Sequence, residues 1–529
     1  MTFADELAIL VKARRPVIWV VTHEEGRVVR MLADLAATGF SQPKRLLLWS
    51  LSTGVIRLSR DPNDANDSAS VLDPVSVKDD SGDSAVDPVA AIQFLTGLAK
   101  KEPSLIVMRD LHRFWGEQNP TYRFLRDMAE ALRESKSTVI VTSPVSTLPV
   151  ELQKDVTMVD MPLPTLEELG TALDSVTVGL PPSVSKKLTN GEREKVLKAG
   201  RGLTEDEFKG VVCESVVRSQ GIDPALIVRA KEQLIRQSGV MELYTTTESL
   251  ALVGGLDRLK AWGVQRARAF TEAARKFGLR PPRGLFLLGP PGTGKTQTAK
   301  AFAAQLGVPL LWVKADAIFS KYVGESEQNL RRVLNIADAV APAILFFDEV
   351  EKLLAGAGGN GNNDSGVTKR VFGSILTWMQ EHTSPVLVIA TANQPLAIPP
   401  ELMGRFDACF FVDLPTATEL REILAIHLHR VGRSLSKKDV GELAEAAAKK
   451  GLSGREVERA VNEALFYAFE EERDLQTHHV GRAIAALKAL SETRRAEVQQ
   501  MREWAKVNAL PASGESRSEP TSRGSAVEV

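Results

Sequence analysis

The amino-acid sequence predicts an α/β protein made of two tandem modules, each with a mostly parallel β-sheet, flanking helices and a helical lid. Three observations support this fold class. The chain has 529 residues, of which 43% are hydrophobic, and this is enough for several compact units. Short apolar strands are followed by loops and helices, which is typical of parallel sheets. The same series of landmarks also occurs in both halves of the chain, in the same order.

The composition of the chain indicates where the protein is located and which classes of partner it is unsuited to bind. The formal net charge is −1, so the chain as a whole has no attraction for nucleic acids or anionic membranes. No stretch approaches the run of about eighteen apolar residues that a membrane helix needs. Cys213 and Cys409 are too far apart in sequence for a metal-binding motif, and the N-terminus is acidic where a secretory signal is basic. We therefore expect a cytoplasmic protein without a membrane partner.

The stretch RGLFLLGPPGTGKTQTAKAFA predicts a strand, a glycine-rich loop and a helix. The pattern G-x-x-x-x-G-K-T places backbone N–H groups and a helix N-terminus around phosphate oxygens. Lys295 would neutralise phosphate charge, and the hydroxyl of Thr296 would hold Mg²⁺. The sequence thus predicts a site for ATP and Mg²⁺. Its residues are Gly289, Pro290, Pro291, Gly292, Thr293, Gly294, Lys295, Thr296 and the following Gln297.

Two further apolar strands end in polar residues that complete this chemistry. The strand in APAILFFDEVEKLL ends with Asp348 and Glu349, and the strand in VLVIATAN ends with Asn393. Asp348 at a strand end suits Mg²⁺, Glu349 can polarise an attacking water, and the Asn393 amide can orient that water. Each residue alone also fits an ordinary acidic strand end or polar turn. Their order and spacing favour ATP hydrolysis.

At these residues the chain resembles the AAA+ ATPases, whose Walker A, Walker B and sensor 1 motifs correspond to GPPGTGKT, FFDE and ATAN. Over residues 250–490, the stretches VGGLDRLKAW, SGVTKRVFGSILTWMQE and GLSGREVERAV are similar to one branch of that superfamily. This branch comprises the AAA-domain proteins of a conserved hypothetical chloroplast reading frame, with cyanobacterial and other bacterial relatives. The resemblance implies that Val253 and Gly254 border the adenine. The residues alone also fit a turn at a strand edge.

The resemblance also implies a loop that grips a polypeptide. Lys321, Tyr322, Val323 and Gly324, in FSKYVGESE, correspond to the loop that lines the central pore of AAA+ rings. An exposed aromatic ring suits this task because it offers a large contact area at low entropy cost. A tyrosine that packs at the start of a helix is the alternative.

Two arginines are candidates for acting on or sensing the nucleotide. Arg405 in GRFD corresponds to an arginine finger that reaches the γ-phosphate of a neighbouring subunit, which implies a homo-oligomeric ring, most often a hexamer. Related ATPases usually carry a second arginine three positions earlier, where this chain has Leu402. Arg455, at the start of a lid helix, corresponds to the sensor 2 position of other branches. A structural salt bridge for Arg405 and a solvated position for Arg455 stay open.

The first half of the chain repeats the landmarks without the chemistry. Its phrase LPVELQKDVTMVDMPLPTLEEL parallels IPPELMGRFDACFFVDLPTATEL, and GRGLTEDEFKGVV parallels KKGLSGREVERAV. The same alignment pairs Asp110 with Asp348. After the first strand comes THEEGR, which has no glycine loop and no lysine, and Thr22 with Glu25 predicts a helix capping box. We expect this module to keep the fold and to bind no nucleotide.

These landmarks predict the domain boundaries. The order is a degenerate AAA-like domain at 1–163 with a disordered acidic insertion at 60–88, a lid-like region and linker at 164–244, an AAA+ ATPase core at 245–415, a helical lid at 416–510 and a disordered tail at 511–529.

Three classes of function fit the sequence. The first is an ATPase that remodels or translocates a protein partner. The second is an oligomeric switch or scaffold that depends on ATP and recruits partners through the first module. The third, nucleic-acid remodelling, has no basic stripe or recognition module to support it. His478 and His479 lack a third ligand nearby in sequence, so no metal site is expected there.

Overall fold

The computed structural model describes residues 2–60, 72–78, 85–115, 120–146, 148–178, 189–237, 239–244, 248–270, 272–318, 325–355, 364–395 and 398–514. The chain divides into two units, Met1–Lys231 and Glu232–Val529. Each unit contains one seven-stranded sheet. Among the helices in these ranges, none is both long and apolar enough to cross a bilayer.

The sheet of the first unit is parallel except at one edge. Its strands are β1 (Val17–Val21), β2 (Arg45–Ser50), β3 (Gly54–Arg60), β4 (Leu72–Ser76), β5 (Ser104–Arg109), β6 (Thr138–Ser143) and β7 (Val156–Asp160). Their order is β4-β3-β2-β5-β6-β1-β7, with β3 antiparallel to β2 and β4 antiparallel to β3. Apolar clusters cover both faces, one including Trp19 and Trp49 and the other including Ile18 and Leu105. Burial on both faces explains why these strands are continuous apolar runs.

The sheet of the second unit has the same organisation. Its strands are β8 (Met241–Tyr244), β9 (Gly284–Leu288), β10 (Leu310–Val313), β11 (Ala343–Phe347), β12 (Val386–Ala392), β13 (Ala408–Phe411) and β14 (Leu510–Pro511). Their order is β14-β13-β9-β12-β11-β10-β8, and only β8 is antiparallel to its neighbour. The five strands β2-β5-β6-β1-β7 of the first unit match β10-β11-β12-β9-β13 of the second. The predicted fold class, two tandem α/β modules, is confirmed.

Helices flank both sheets. Those of the first unit are α1 (Phe3–Lys12), α2 (Glu25–Thr38), α3 (Pro88–Lys101), α4 (Thr121–Leu132), α5 (Leu166–Val178), α6 (Asn190–Gly200) and α7 (Glu205–Ser219), and α8 (Pro224–Gln237) spans the division. The core of the second unit has α9 (Asp257–Ala267), α10 (Glu272–Phe277), α11 (Lys295–Leu306), α12 (Ala315–Ile318), α13 (Glu325–Val340), α14 (Val350–Ala355), α15 (Asp364–Glu381) and α16 (Pro400–Met403). Its lid and C-terminal part have α17 (Ala417–Arg430), α18 (Lys437–Lys450), α19 (Gly454–Glu470), α20 (Thr477–Ala486), α21 (Leu490–Thr493) and α22 (Arg495–Asn508).

One helix in each lid begins in the same way. Thr204 and Glu207 form a capping box at the start of α7, and Ser453 and Glu456 form one at the start of α19. Each box satisfies helix N–H groups that would otherwise lack a partner. In the second unit, α17 to α20 bury an apolar cluster of their own, which includes Leu420. The repeated sequence GLT or GLS therefore marks the same structural position in both modules.

The structure differs from three predicted boundaries. Within the predicted disordered insertion at 60–88, β4 is a strand that pairs with β3, so that part is ordered, while 61–71 and 79–84 lie outside the described residues. The predicted linker at 164–244 ends in β8, which belongs to the second sheet. The predicted tail at 511–529 begins in β14, and the N–H of Ala512 donates to the carbonyl of Phe411. In each case the edge strand supplies hydrogen-bond partners that local sequence does not show.

The predicted capping box of Thr22 and Glu25 is wrong. Helix α2 starts at Glu25, its cap residue is Glu24, and no side chain caps it. The hydroxyl of Thr22 accepts instead from the N–H of Glu24 at 2.9 Å. The carboxylate of Glu25 faces Thr142 and Arg109, at the end of the sheet. The helix begins later than the pattern suggests, which leaves Glu25 free for these tertiary contacts.

Candidate functional site

The loop between β9 and α11 is shaped by its glycines. Gly289 has φ +150°, and a Cβ there would clash with the carbonyl oxygen of Val412. Gly294 has φ +94° and precedes α11 without any side-chain cap. L-residues rarely adopt these backbone conformations. The loop therefore holds the uncapped N-terminus of α11 at the carboxyl edge of the sheet, where backbone N–H groups can bind phosphate.

Lys295 is buried within this loop, with only 6% of its surface exposed. Its Nζ donates to the carbonyl oxygens of Gly289 at 2.8 Å and Pro290 at 2.7 Å. Burial lowers the pKa of Lys295 to about 8, and three carboxylates oppose that shift, those of Glu351, Asp348 and Glu349. A phosphate group would favour the ammonium form in the same way, because opposite charges interact strongly where water is excluded.

Thr296 and Asp348 lie together, as a Mg²⁺ site requires. The hydroxyl of Thr296 is 3.3 Å from both carboxylate oxygens of Asp348. Thr391 donates from Oγ1 to Asp348 Oδ1 at 2.6 Å and so orients the carboxylate. A hydroxyl and a carboxylate are hard oxygen ligands, the kind that Mg²⁺ prefers. The donor set fits the ion, and Thr391 is a residue that the sequence motifs did not single out.

Glu349 and Asn393 are also in contact. The amide Nδ2 of Asn393 donates to Glu349 Oε1 at 3.0 Å, and Lys352 pairs with the same carboxylate. Glu349 has φ +50°, an uncommon value for a residue other than glycine, and its N–H donates to Thr391 Oγ1 at 2.9 Å. Such backbone strain is frequent at active sites, and here it points the carboxylate toward the amide. The arrangement can activate water beside a bound phosphate.

A cavity of about 400 Å³ joins these residues to the lid. Val253 and Gly254, predicted to border the adenine, line it on the core side. Sequence reasoning missed Trp312 of β10, which also lines the cavity. It also missed the residues that the lid contributes, which are Ile423, Ile426, His427, Arg430 and Glu458. Burial lowers the pKa of His427, so the neutral imidazole is favoured. These lid residues carry no loop motif, and the packing of α17 and α19 against the core brings them to the cavity.

Of the two candidate arginines, only Arg455 reaches the cavity of its own chain. Its N–H donates to the carbonyl of Gly292 at 3.1 Å, so the start of α19 contacts the glycine loop directly. Arg405 is exposed and is not among the residues that line the cavity. Its guanidinium faces the amide of Gln380, whose oxygen accepts from Nη2 at 3.1 Å in the orientation that satisfies both groups. Leu402, three positions earlier, is buried in the core.

Two further predictions concern the loop at 321–324 and the histidine pair at 478 and 479. Lys321, Tyr322, Val323 and Gly324 lie outside the described residues. Within the described ranges, Glu471, His478 and His479 form the one cluster with metal-ligand spacing. There His479 Nδ1 accepts the N–H of Gln476 at 3.0 Å, so its proton sits on Nε2, which faces Glu471 at 3.0 Å. Sequence reasoning found no third ligand beside His478 and His479, and the structure places Glu471 in that position. The contacts of His479 described here cap the start of α20.

In the first unit, opposite charges occupy the equivalent positions. Strand register aligns Thr142 of the first unit with Thr391 of the second. Arg109 is then the counterpart of Asp348, whereas the sequence alignment assigned that position to Asp110. Asp110 has φ +52° and corresponds to Glu349. Arg109 lies 3.3 Å from Glu25, and Thr142 donates to Glu25 at 3.2 Å. An internal ion pair therefore takes the place of the lysine and the metal-binding carboxylate.

The first unit also holds its lid with charged side chains. Glu24 accepts the N–H of Glu205, at the start of α7, at 2.6 Å. Arg27 binds Glu24 at 3.0 Å and Glu168 of α5 at 2.8 Å. Glu24 and Arg27 are both buried, and burial raises the pKa of Glu24. In the second unit the N–H of Arg455, one position further along the equivalent helix, donates to the backbone carbonyl of Gly292.

Comparison with known proteins agrees with this division. Family models described as "SpoVK-like AAA ATPase, N-terminal domain" and "SpoVK-like AAA ATPase, second domain" match residues 3–161 and 167–238. A model described as "ATPase family associated with various cellular activities (AAA)" matches residues 285–414. The AAA domain-containing protein ycf46 of Guillardia theta is 32% identical over 511 residues, which cover 96% of this chain and 95% of that protein.

Two more distant likenesses are confined to part of the chain. The cell division cycle protein 48 homolog of Archaeoglobus fulgidus is 38% identical over 227 residues, which cover 41% of this chain and 30% of that protein. A crystal structure of the FIGL-1 AAA domain in complex with ADP aligns with 53% of this chain and 97% of that chain, at 22% identity and a TM-score of 0.43.

Proposed function

Because this chain belongs to the AAA ATPases, in the family of the AAA domain-containing protein ycf46, we propose that its second module hydrolyses ATP with Mg²⁺ in the cytoplasm to remodel or translocate a protein partner. ATP hydrolysis is the activity of the family. The observation that supports its use for mechanical work is the hydrogen bond from Arg455 in the lid to Gly292 in the glycine loop. A nucleotide in the cavity would lie between core and lid, so loss of the γ-phosphate would change how the lid packs.

Each residue of the site has a distinct part in this mechanism. Lys295 would exchange its carbonyl partners for phosphate oxygens. Thr296 and Asp348 would hold Mg²⁺, which neutralises phosphate charge when bound. Glu349 would accept the proton of the attacking water, and Asn393 would hold that carboxylate in place. The charge that develops in phosphoryl transfer is thus met by groups that are already oriented.

Arg405 would act on the nucleotide of a neighbouring subunit. Its exposure, and its absence from the lining of its own cavity, support an action between subunits. Arginine fingers accelerate hydrolysis by about 10³- to 10⁵-fold. A closed ring, most often six subunits in relatives, would give every site such a neighbour.

The Glu349→Gln variant tests this assignment. Glutamine keeps the size and the contact with Asn393 but cannot accept a proton, so we expect ATP to bind as tightly as in the wild type and kcat to fall by about 10²- to 10⁴-fold. Phosphate release and binding of a fluorescent ATP analogue measure the two effects. The exposed Glu381→Gln serves as the matched control. Wild-type turnover in Glu349→Gln would contradict the role of Glu349.

The same variant tests for a protein partner. If hydrolysis drives remodelling, Glu349→Gln with ATP should retain a partner that the wild type releases, and Lys295→Ala should retain none. A Tyr322→Ala variant should keep ATPase activity and lose processing of that partner. Processing that survives in Tyr322→Ala would argue against a polypeptide-gripping loop.

An ATP-dependent switch or scaffold is the second candidate function. The ion pair of Glu25 and Arg109 supports it, because a module without nucleotide chemistry is free to serve as a platform for partners. In that case partners bind the first module, and ATP controls only assembly of the second. Partner binding that is equal with ATP, with ADP and without nucleotide would exclude a switch.

A further inference from the structure

Glu351 is a half-buried residue of the second unit, and one oxygen of its carboxylate is fully buried. It lies in the first turn of α14, directly after the Asp348 and Glu349 pair. Its Oε1 accepts the backbone N–H of Asn393 at 2.9 Å. Glu351 therefore connects α14, which follows β11, to the end of β12. Residues of the candidate site lie at the ends of these two strands.

This hydrogen bond continues to the water-activating residue. The backbone of Asn393 is held by Glu351, and its side chain donates to Glu349 Oε1 at 3.0 Å. Glu349, Glu351 and Asn393 also border a second cavity, of about 570 Å³, beside the nucleotide site. A shift of the Asn393 backbone would move the amide that holds Glu349, and small misplacements of catalytic groups lower rates steeply.

The environment of Glu351 is unfavourable for a purely structural carboxylate. Its Oε2 is buried without a hydrogen-bond partner among the described residues, and burial raises the pKa of the group. A neutral acceptor would satisfy the N–H of Asn393 without burying an unpaired oxygen. Of the three carboxylates that favour the ammonium form of Lys295, Glu351 has the largest influence.

The first unit has lost both members of this contact. Asp110 corresponds to Glu349, so His112 occupies the position of Glu351. Strand register places Pro144 where Asn393 stands, and proline has no N–H to donate. The second unit, which has the proposed ATPase residues, therefore has both the Glu351 carboxylate and the Asn393 N–H. The described residues of the first unit have neither group at these positions.

We propose that Glu351 is a positioning residue for ATP hydrolysis. Its carboxylate fixes the backbone of Asn393, and through Asn393 it sets the orientation of Glu349 relative to the attacking water. This inference rests on the roles of Glu349 and Asn393 given above. It assigns no contact between Glu351 and the nucleotide.

Steady-state kinetics of the full-length protein test the proposal. In Glu351→Ala, we expect kcat to fall by about 10²-fold, the effect of a misplaced catalytic group, while KM for ATP changes by no more than about threefold. Glu351→Gln keeps an acceptor for the Asn393 N–H and should recover kcat to within about fivefold of the wild type. In the Glu349→Gln background, Glu351→Ala should reduce kcat by less than about twofold, because residues that act as a unit are not additive.

Thermal unfolding and the Glu381→Ala variant are the controls. Unchanged kcat in Glu351→Ala would overturn the proposal, as would an equal loss in Glu351→Gln or a full further loss in the Glu349→Gln background. If Glu351→Ala does not fold, Glu351→Gln and Glu351→Asp still test the proposal. The shorter carboxylate of Glu351→Asp should lower kcat more than the amide of Glu351→Gln does. Absence of ATPase activity in the wild type would instead refute the proposed function itself.

Discussion

Thr391 is the side chain that links Asp348 and Glu349, the carboxylates proposed to hold Mg²⁺ and to activate water. Its fully buried hydroxyl donates to Asp348 and accepts the N–H of Glu349. The Thr142 hydroxyl of the first unit donates to Glu25 instead. The same residue type thus stabilises a reactive site in one module and an internal ion pair in the other.

The Thr391→Val variant removes this link without changing side-chain size. We expect kcat to fall by about tenfold or more, since hydrogen bonds to charged groups contribute about 1.5 to 3 kcal/mol. We also expect the Mg²⁺ concentration for half-maximal activity to rise. A titration of ATPase activity with Mg²⁺ measures both, and Thr391→Ser should stay near the wild type. Identical Mg²⁺ dependence in Thr391→Val would show that the hydroxyl does not orient Asp348.

The lid helices differ between the two units in how they meet their cores. Helix α19 contacts the glycine loop through one backbone hydrogen bond, from Arg455 to Gly292. Helix α7 is held by buried Glu24, which is paired with Arg27. A contact to a loop that binds nucleotide can change with the nucleotide. Movement of the first lid would take the N–H of Glu205 from buried Glu24 and the carboxylate of Glu168 from Arg27, and leaving buried charged groups without these partners costs stability. The first lid should therefore stay in one position.

The Arg27→Met variant should destabilise the first unit strongly. It leaves Glu24 buried and unpaired, and loss of one partner of a buried pair costs about 3 to 5 kcal/mol. The control Arg123→Ala breaks an exposed pair with Asp127 and should cost no more than about 1 kcal/mol. Urea denaturation measures the free energy of unfolding for both.

The loss in Arg27→Met should also depend on pH. Burial raises the pKa of Glu24, so its folded form binds a proton more readily than its unfolded form. Loss of Arg27 should raise the pKa of Glu24 further, so the destabilisation is largest above the pKa of Glu24 in the variant and decreases as the pH falls through it. A cost that is equal at neutral and mildly acidic pH would mean that Glu24 is not the group left unpaired.

The two sheets share the order of five strands, and among the described residues only the second unit carries the full set of proposed ATPase residues. The first unit has Glu25 and Arg109 where the second has Lys295 and Asp348. Negative charge at the start of α2 would repel phosphate. We therefore expect one nucleotide per chain, and Arg405 is the residue through which chains would act on one another.

Mixing experiments test this whole-molecule arrangement. Lys295→Ala should bind no fluorescent ATP analogue, because we expect no second site in the first unit. Arg405→Ala should bind one analogue per chain with little turnover. Mixed oligomers of the two variants should regain activity, since each supplies what the other lacks. Residual nucleotide binding by Lys295→Ala would place a site in the first unit. Mixtures as inactive as their components would argue against Arg405 acting between subunits.

Local pattern was enough to predict the chemistry of the second unit. Gly289 to Thr296, Asp348, Glu349 and Asn393 each follow an apolar strand, and parallel strands bring their carboxyl ends to one edge. Their identities and order therefore predicted the site, and the repeated phrases predicted two modules. Local pattern misplaced Asp110 and the capping box at Thr22, because strand register and helix starts depend on tertiary contacts.

The sequence by itself determined the fold class of this protein and the set of candidate ATPase residues, since both depend on residue types at short, regular spacings. Tertiary structure decided the rest. It brought His427 of the lid to the nucleotide cavity, paired Arg109 with Glu25, and placed Glu351 against the backbone of Asn393. These contacts join residues from different elements. Such a contact depends on how helices and strands pack, and no local pattern records that packing.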